Sequence, residues 1–259
     1  MDALIGHTGL VGGTIARSRA FDASFRSTDI DAMRGRHWDL VVCAGVRAEK
    51  WKANQDPAGD AAGVARLTEV LETVEIAHLI LISTVDVYPT PVDVDEDSVI
   101  DPLDGHPYGR HRLALEAFCT ARFPCTVLRL PGLFGHGLKK NAIFDLLHEN
   151  GVERIHPDSA FQFYDLARLW TDVARLRTAG VALANLVPEP VRMADVARRA
   201  FGRDLAPAAD VTPARYDIRS HHAAHFGGRG GYWYDAAASL ESITGFVADE
   251  RARAARNEL

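Results

Sequence analysis

Tyr108 and Arg112 stand four residues apart in the run Tyr108-Gly109-Arg110-His111-Arg112-Leu113. On a helix, positions i and i+4 share a face, so the phenol and the guanidinium project together. A cation beside a phenol stabilises the phenolate and lowers its pKa from about 10. Such a phenol is suited to give or take a proton near neutral pH. Upstream, Ile82-Ser83-Thr84-Val85-Asp86-Val87-Tyr88 places hydroxyls at the end of an apolar run. A hydroxyl at the carboxyl edge of a buried parallel strand points into the ligand crevice of an open α/β sheet. One of these hydroxyls, Ser83 or Thr84, with Tyr108 and Arg112, therefore forms the candidate catalytic set.

A second constellation opens the chain. Gly6-His7-Thr8-Gly9-Leu10-Val11-Gly12 follows a strand-like run and precedes a helical one. Glycines there allow a sharp turn and let a pyrophosphate approach the helix N-terminus, where unpaired N–H groups favour negative charge. The spacing is G-x-x-G-x-x-G rather than the G-x-G-x-x-G dehydrogenase fingerprint, but its place between strand and helix points to a dinucleotide. Gly6, Thr8, Gly9, Leu10, Val11 and Gly12 are the expected contacts. A phenol acting beside a bound nicotinamide implies hydride transfer. At the end of the next strand come Phe25-Arg26-Ser27-Thr28, with no acid before Asp29. Arg26 and Ser27 favour a 2′-phosphate and hence NADP; the other reading has Asp29 or Asp31 taking a ribose diol, and hence NAD.

These residues need a scaffold. Residues 3–5, 23–27, 40–44, 78–83 and 125–130 read as strands, and a run from the glycine turn through Arg17, residues 61–74 and residues 108–122 read as helices. In 61–74, Val64, Leu67, Val70 and Leu71 share one face. Strands without polar alternation are buried on both faces. Strands alternating with helices give parallel pairing and right-handed crossovers, so the expected fold is α/β with a doubly wound parallel sheet. Past Leu130 the rhythm loosens. A loop at 131–137, a short helix at 141–147, an amphipathic helix at 165–177, a strand at 181–187, a helix at 193–201, a loop at 216–234 and a terminal helix at 241–257 are expected.

The 259 residues carry 29 Lys+Arg against 35 Asp+Glu, a net charge of −6, and are 47% hydrophobic. That excludes a disordered or fibrous chain and gives no global attraction to nucleic acid or anionic membranes. Three cysteines, Cys43, Cys119 and Cys125, argue against a disulfide framework and for a reducing compartment. No apolar run reaches the roughly 18 residues of a membrane span. Strand-like sequence from the first residues leaves no room for a signal peptide, so a cytoplasmic address is expected.

The motifs together resemble an extended short-chain dehydrogenase/reductase of the NAD(P)-dependent epimerase/dehydratase type. Gly6, Gly9 and Gly12 match its glycine turn; Ala44-Gly45-Val46 matches the segment under the adenosine half of the cofactor; Ser83-Thr84-x-x-Val87-Tyr88 matches S-[ST]-x-x-V-Y. Tyr108-Gly109-x-x-Arg112-Leu113-x-x-Glu116 matches Y-G-x-S-K-L-x-x-E, and Leu128-Arg129-Leu130-Pro131-x-x-x-Phe134-Gly135 matches the loop that meets the nicotinamide. Phe163-Tyr164-Asp165-Leu166-Ala167 and Asn185-Leu186-Val187-x-Glu189-Pro190-Val191 match two later segments. The resemblance implies a Rossmann-like NAD(P)-binding domain over 1–131 and roughly 155–187, with a small C-terminal substrate lobe over 132–154 and 188–259. It implies a small-molecule substrate, extending to nucleotide-activated sugars, with Ala44, Gly45, Val46, Ser83 and Pro131 added to the cofactor contacts. Tyr108 would be the acid/base, Thr84 would bind the reacting oxygen, and Arg112 would tune Tyr108 and hold the ribose. A homodimer through helices 61–74 and 108–122 is also implied.

Four departures stand out. The family lysine is Arg112, the serine before it is His111, the glycine after Val-Tyr is Pro89, and an asparagine of the fourth helix is Asp60. Arg is not a neutral replacement for Lys, so a cofactor-binding sensor or scaffold without turnover is the alternative reading. A nucleotide-sugar dehydratase is a second alternative, but dehydratases carry an adjacent acid pair and here Val85 precedes Asp86, which reads rather as polar support or a substrate contact. Lys139, Lys140 and Asn141 are weak substrate candidates for a nucleotide phosphate. His221-His222-x-x-His225 has metal-like spacing but no Cys or paired carboxylate to complete a site, and no metal is expected.

Overall fold

The computed structural model describes residues 1–206 and 211–257. Its chain divides into two units: Met1–Thr90, Asp97–Leu130 and Arg168–Ala184 form the first, and Pro91–Glu96, Pro131–Ala167 and Asn185–Leu259 the second. The sequence reading assigned 155–187 to the cofactor domain; in the structure 131–167 groups with the second unit.

The first unit is built on a six-stranded sheet. Strands β1 (Asp2–Ile5), β2 (Ala23–Phe25), β3 (His37–Cys43) and β4 (Glu75–Thr84) come first in the chain. The order across the sheet is β2, β1, β3, β4, then Cys125–Leu130 and Leu183–Asn185. The pairs from β2 to Cys125–Leu130 are all parallel. The chain steps from β2 over to the far side of β1, so the turn after β1 lies where the strand order reverses, the usual ligand crevice of such sheets. Val41, Val42, Leu79, Ile80 and Leu81 are almost wholly buried, as double-sided coverage requires.

Helix α1 (Leu10–Ser18) follows the glycine turn. Helix α2 (Lys50–Gln55), a single short stretch with no readable periodicity, precedes α3 (Pro57–Leu71), and α4 (Pro107–Arg122) precedes the fifth strand of the sheet. Both α3 and α4 open with Pro at the first turn, where its missing N–H costs nothing. Asp56 caps α3 by accepting from Gly59 N at 2.9 Å, which moves the helix start ahead of the expected residue 61. Strand β2 stops at Phe25, because Arg26 N–H turns to Asp29 Oδ1 at 2.7 Å instead of continuing the ladder. Strand β3 begins earlier than the apolar run because Trp38, 1% exposed, packs edge-on to Phe25.

The second unit has its own core, in which Phe134, Ile143, Leu146, Met193, Val196 and Ile243 are buried together. Two stretches expected as loops carry short strands: Gly132–Phe134 pairs in parallel with Phe163–Asp165, and Asp217–Ile218 pairs with Val92–Val94. Runs of two or three residues are too short for a period to declare itself. Among the described residues, no helix is long and apolar enough to cross a membrane.

Candidate active site

The glycine turn is closed by backbone contacts that leave no room for side chains. Gly6 has φ +87°, and a Cβ there would lie 2.3 Å from Ala44 O. A Cβ on Gly12 would lie 2.2 Å from Gly6 O. At Gly9, the N-cap of α1, the nearest atom to a Cβ is Gly6 O at 3.4 Å, and no side chain caps the helix. Thr8 and Gly9 are exposed. An N-terminus with uncapped N–H groups and a glycine approach fits the pyrophosphate of a dinucleotide. The spacing of the three glycines has a stability consequence. Gly12→Ala forces the backbone of Gly6 to move and is expected to cost about 1–3 kcal/mol, as overpacking does. Gly9→Ala meets only ordinary contact. Thermal unfolding of the two variants without ligand should separate them.

Thr84 ends β4 and Tyr108 occupies the first turn of α4, where the Thr84 hydroxyl acts on the phenol and draws its pKa down. Thr84 Oγ1 also accepts from Asp86 N at 3.1 Å. Both residues are more than nine-tenths buried. The Arg112 guanidinium lies over the Tyr108 ring, 3.9 Å from its centroid, so the shared helix face is real. The expected acidification is not. Burial pushes the Tyr108 phenol above its ordinary range; Arg112 pulls it down and Asp86 pushes it up, and the net direction is upward. Burial outweighs the Arg112 charge, whose terminal nitrogens bond Asp60 and the carbonyls of Arg47 and Tyr108.

Those partners explain three unusual residues together. Arg112 Nη1 donates to Asp60 Oδ2 and to Tyr108 O, and Nη2 donates to Asp60 Oδ1 at 2.8 Å and to Arg47 O. His111 Nδ1 lies 2.7 Å from the same Asp60. Arginine for lysine, aspartate for asparagine and histidine for serine thus form one buried charged cluster. Burial works to raise the Asp60 pKa, but hydrogen bonds from Arg112 and His111 hold it below the usual carboxylate range. The role of holding a ribose, expected of Arg112, falls to a group whose four terminal N–H bonds already have protein acceptors.

Ser83, an expected cofactor contact, donates to Glu116. Glu116 lies two helical turns beyond Tyr108 and pairs with Arg129 at 2.7 Å; Arg129 Nη1 donates to Tyr88 OH at 2.8 Å. This buried network ties β4, α4 and the strand Cys125–Leu130 together behind the Thr84–Tyr108 pair. Sequence matching flagged Glu116 and Arg129 without revealing that they meet.

His106 caps α4 through Nδ1, which accepts from Gly109 N at 3.1 Å. That nitrogen must be unprotonated to accept. Burial, then the Lys50 charge, lowers the His106 pKa; burial does the same for His78. The native state therefore disfavours protonation. Stability is constant above the unfolded histidine value of about 6.5 and falls as pH drops below it, levelling off under the folded pKa. His106→Asn keeps a capping acceptor without a titrating one. Urea midpoints measured between neutral and mildly acidic pH should fall less for His106→Asn than for the natural sequence.

Two residues that the sequence reading missed complete the setting. Lys50 Nζ lies 2.7 Å from Asp86 Oδ1, and Asn54 Oδ1 accepts from Tyr108 N at 3.1 Å. Both come from α2. The i, i+4 spacing of Lys50 and Asn54 was the available signal.

Among the remaining candidates, Arg26 and Ser27 are exposed at the end of β2, and Arg26 Nε is 3.3 Å from Asp29 Oδ2. Asp31 is paired with Arg34 and Arg66. A Cβ on Gly45 would meet Ile5 Cγ2 at 2.6 Å, so the 44–46 segment runs close over β1. Pro131, Lys139, Lys140 and Asn141 belong to the second unit. Lys139 and Lys140 are exposed, whereas Asn141 caps the helix Ala142–Leu147 and donates to Leu133 O at 2.8 Å. His221 pairs with Glu96, and no metal-binding group of His, Cys, Asp or Glu occurs among the described residues. Cys43 is buried, its thiol pushed up to about 11 by desolvation.

Solved structures share this fold. The dTDP-4-dehydrorhamnose reductase of Clostridium acetobutylicum aligns over 97% of this chain and 100% of its own, with a TM-score of 0.71 at 14% identity. RMD of Pseudomonas aeruginosa, solved with NADPH, aligns over 97% and 99%, with a TM-score of 0.71 at 18% identity. A UDP-galactose 4-epimerase aligns over 98% and 99%, with a TM-score of 0.70 at 14% identity. No curated protein matches at the sequence level. The family model described as "NAD dependent epimerase/dehydratase family" matches residues 10–157. With more than half its length so matched, the chain belongs to the NAD-dependent epimerase/dehydratase family and is, in kind, an NAD(P)-dependent enzyme.

Proposed function

We propose that this protein is an NAD(P)-dependent oxidoreductase or epimerase acting on a carbonyl or carbinol of a nucleotide-activated sugar. The observation that carries the reading is the pairing of two buried hydroxyl residues, Thr84 and Tyr108, in the same unit as the glycine turn. A bound dinucleotide supplies or accepts the hydride. Tyr108 passes the proton to or from the substrate oxygen, and Thr84 holds that oxygen by a hydrogen bond. The relatives support the substrate class: a reductase and an epimerase of nucleotide-linked sugars share the fold.

NADP is the proposed cofactor, with NAD as the alternative. Support comes from Arg26 and Ser27 at the end of β2, and from Asp29 being turned onto Arg26. A second reading, a cofactor-binding sensor without turnover, is favoured by one observation: Arg112 is held by Asp60 and Arg47. Adjacent acids would support dehydration, and Val85 interrupts them.

The test is to offer keto forms of nucleotide-linked sugars with NADPH and with NADH, following cofactor absorbance. The enzyme reading expects oxidation, faster with NADPH. Cofactor binding with no oxidation on any member of the panel sustains the sensor.

A further inference from the structure

In the resembled motif, the residue four after the tyrosine is a lysine; here that place holds Arg112, locked to Asp60. We propose that Lys50, reaching in from α2, is the ammonium group that serves Tyr108, and that Arg112 is a buried brace. The inference rests on the functional reading above for its purpose, but not for its test.

Four observations place Lys50. First, Asn54, one turn along α2 from Lys50, accepts the Tyr108 backbone N–H at 3.1 Å, so this face of α2 is seated on the start of α4. Second, Lys50 Nζ is 2.7 Å from Asp86 Oδ1. Third, Asp86 donates its backbone N–H to Thr84 Oγ1 at 3.1 Å. Fourth, a Cβ on Gly109 would lie 2.1 Å from Asp86 O, so the Asp86 backbone is packed on the residue next to Tyr108. Lys50, Asp86, Thr84 and Tyr108 are therefore one cluster drawn from α2, the end of β4 and α4. The charged and titratable groups around the phenol are Arg112 and His106 from α4, Asp86 and Lys50. Arg112 draws the phenol downward most, Thr84 and Lys50 less, and Asp86 draws it upward.

Arg112 and Lys50 differ in what they can do. The Arg112 side chain is 4% exposed and forks onto Asp60. The Lys50 side chain is 38% exposed and carries three rotatable donors on a compact charge. Asp86, 20% exposed, holds that charge in place. Lys50 is a positioning residue, acting through Tyr108 and Asp86 by its charge.

The test reads the phenol itself. Protein labelled with ¹³C at tyrosine Cζ is titrated by NMR, with the Tyr108 signal assigned by its loss in Tyr108→Phe. Lys50→Met should move the onset of Tyr108 titration to higher pH, Lys50→Arg should restore it, and Asp86→Asn should move it to lower pH. A purely structural Lys50–Asp86 pair would give shifts of the same sign for Lys50→Met and Asp86→Asn, or none, and either result overturns the proposal. NADPH fluorescence titration of the natural sequence is run alongside. Loss of cofactor binding there would count against the functional reading alone, since the phenol titration needs no cofactor.

Discussion

Tyr108→Phe should lower kcat/KM by about 10²–10⁴-fold, the range for removing a positioned acid/base group, while leaving NADPH affinity within a few-fold. The substitution deletes one oxygen and little else. The Phe ring keeps the place of the Tyr108 ring under the Arg112 guanidinium, 3.9 Å from its carbon. Thr84 loses one partner but still accepts from Asp86 N. Removing a buried hydroxyl whose burial is itself unfavourable should change stability by about 1 kcal/mol or less. Loss of rate at unchanged melting temperature and unchanged cofactor binding would isolate the chemistry. Parallel assays of NADPH consumption, thermal unfolding and cofactor fluorescence on the two proteins decide it. A variant retaining full rate would remove Tyr108 from the reaction.

Arg112→Met should be the most destabilising single change in the site, by about 3–5 kcal/mol, because it leaves a buried carboxylate without its main partner. The Asp60 and Arg112 side chains are 8% and 4% exposed, so solvent cannot replace the lost hydrogen bonds. Only His111 would remain beside Asp60. The sign of the pH dependence follows. In the natural sequence the Asp60 carboxyl sits below its unfolded value, so its contribution is present above that value and is lost as pH falls through the folded pKa. In Arg112→Met, that acid-side loss should shrink or reverse. Replacing both partners, with Asp60→Leu added, should recover most of the stability, since removing a whole buried ion pair is often neutral. Urea unfolding of the single and double variants measures this directly. A single variant as stable as the natural protein would mean that Arg112 is not a brace.

Much of this was legible in the residues. The uninterrupted apolar run Leu79–Ile82 could only be a strand covered on both faces, and β4 contains it. The glycine turn followed from three small residues between a strand and a helix, and Gly6 and Gly12 prove unable to carry a Cβ. The fork of Arg112 was not legible. Spacing shows that Tyr108 and Arg112 share a face, but not whether the guanidinium meets the phenol oxygen or lies on the ring. Its position is decided by Asp60, which is remote in sequence. Two departures from the family, separate in the sequence, are one compensated pair in space. Helix α2 escaped notice because six residues do not establish a period, and with it went Lys50 and Asn54. The short strands of the second unit escaped for the same reason.

Direct hydride transfer assisted by Tyr108 is tested most directly with NADPH deuterated at the transferring C4 position of the nicotinamide, supplied together with keto forms of nucleotide-linked sugars, the products being read by mass spectrometry. The predicted result is a product alcohol carrying one deuterium on the former carbonyl carbon. Deuterium retained on the cofactor while every carbonyl in the panel returns unreduced would contradict it.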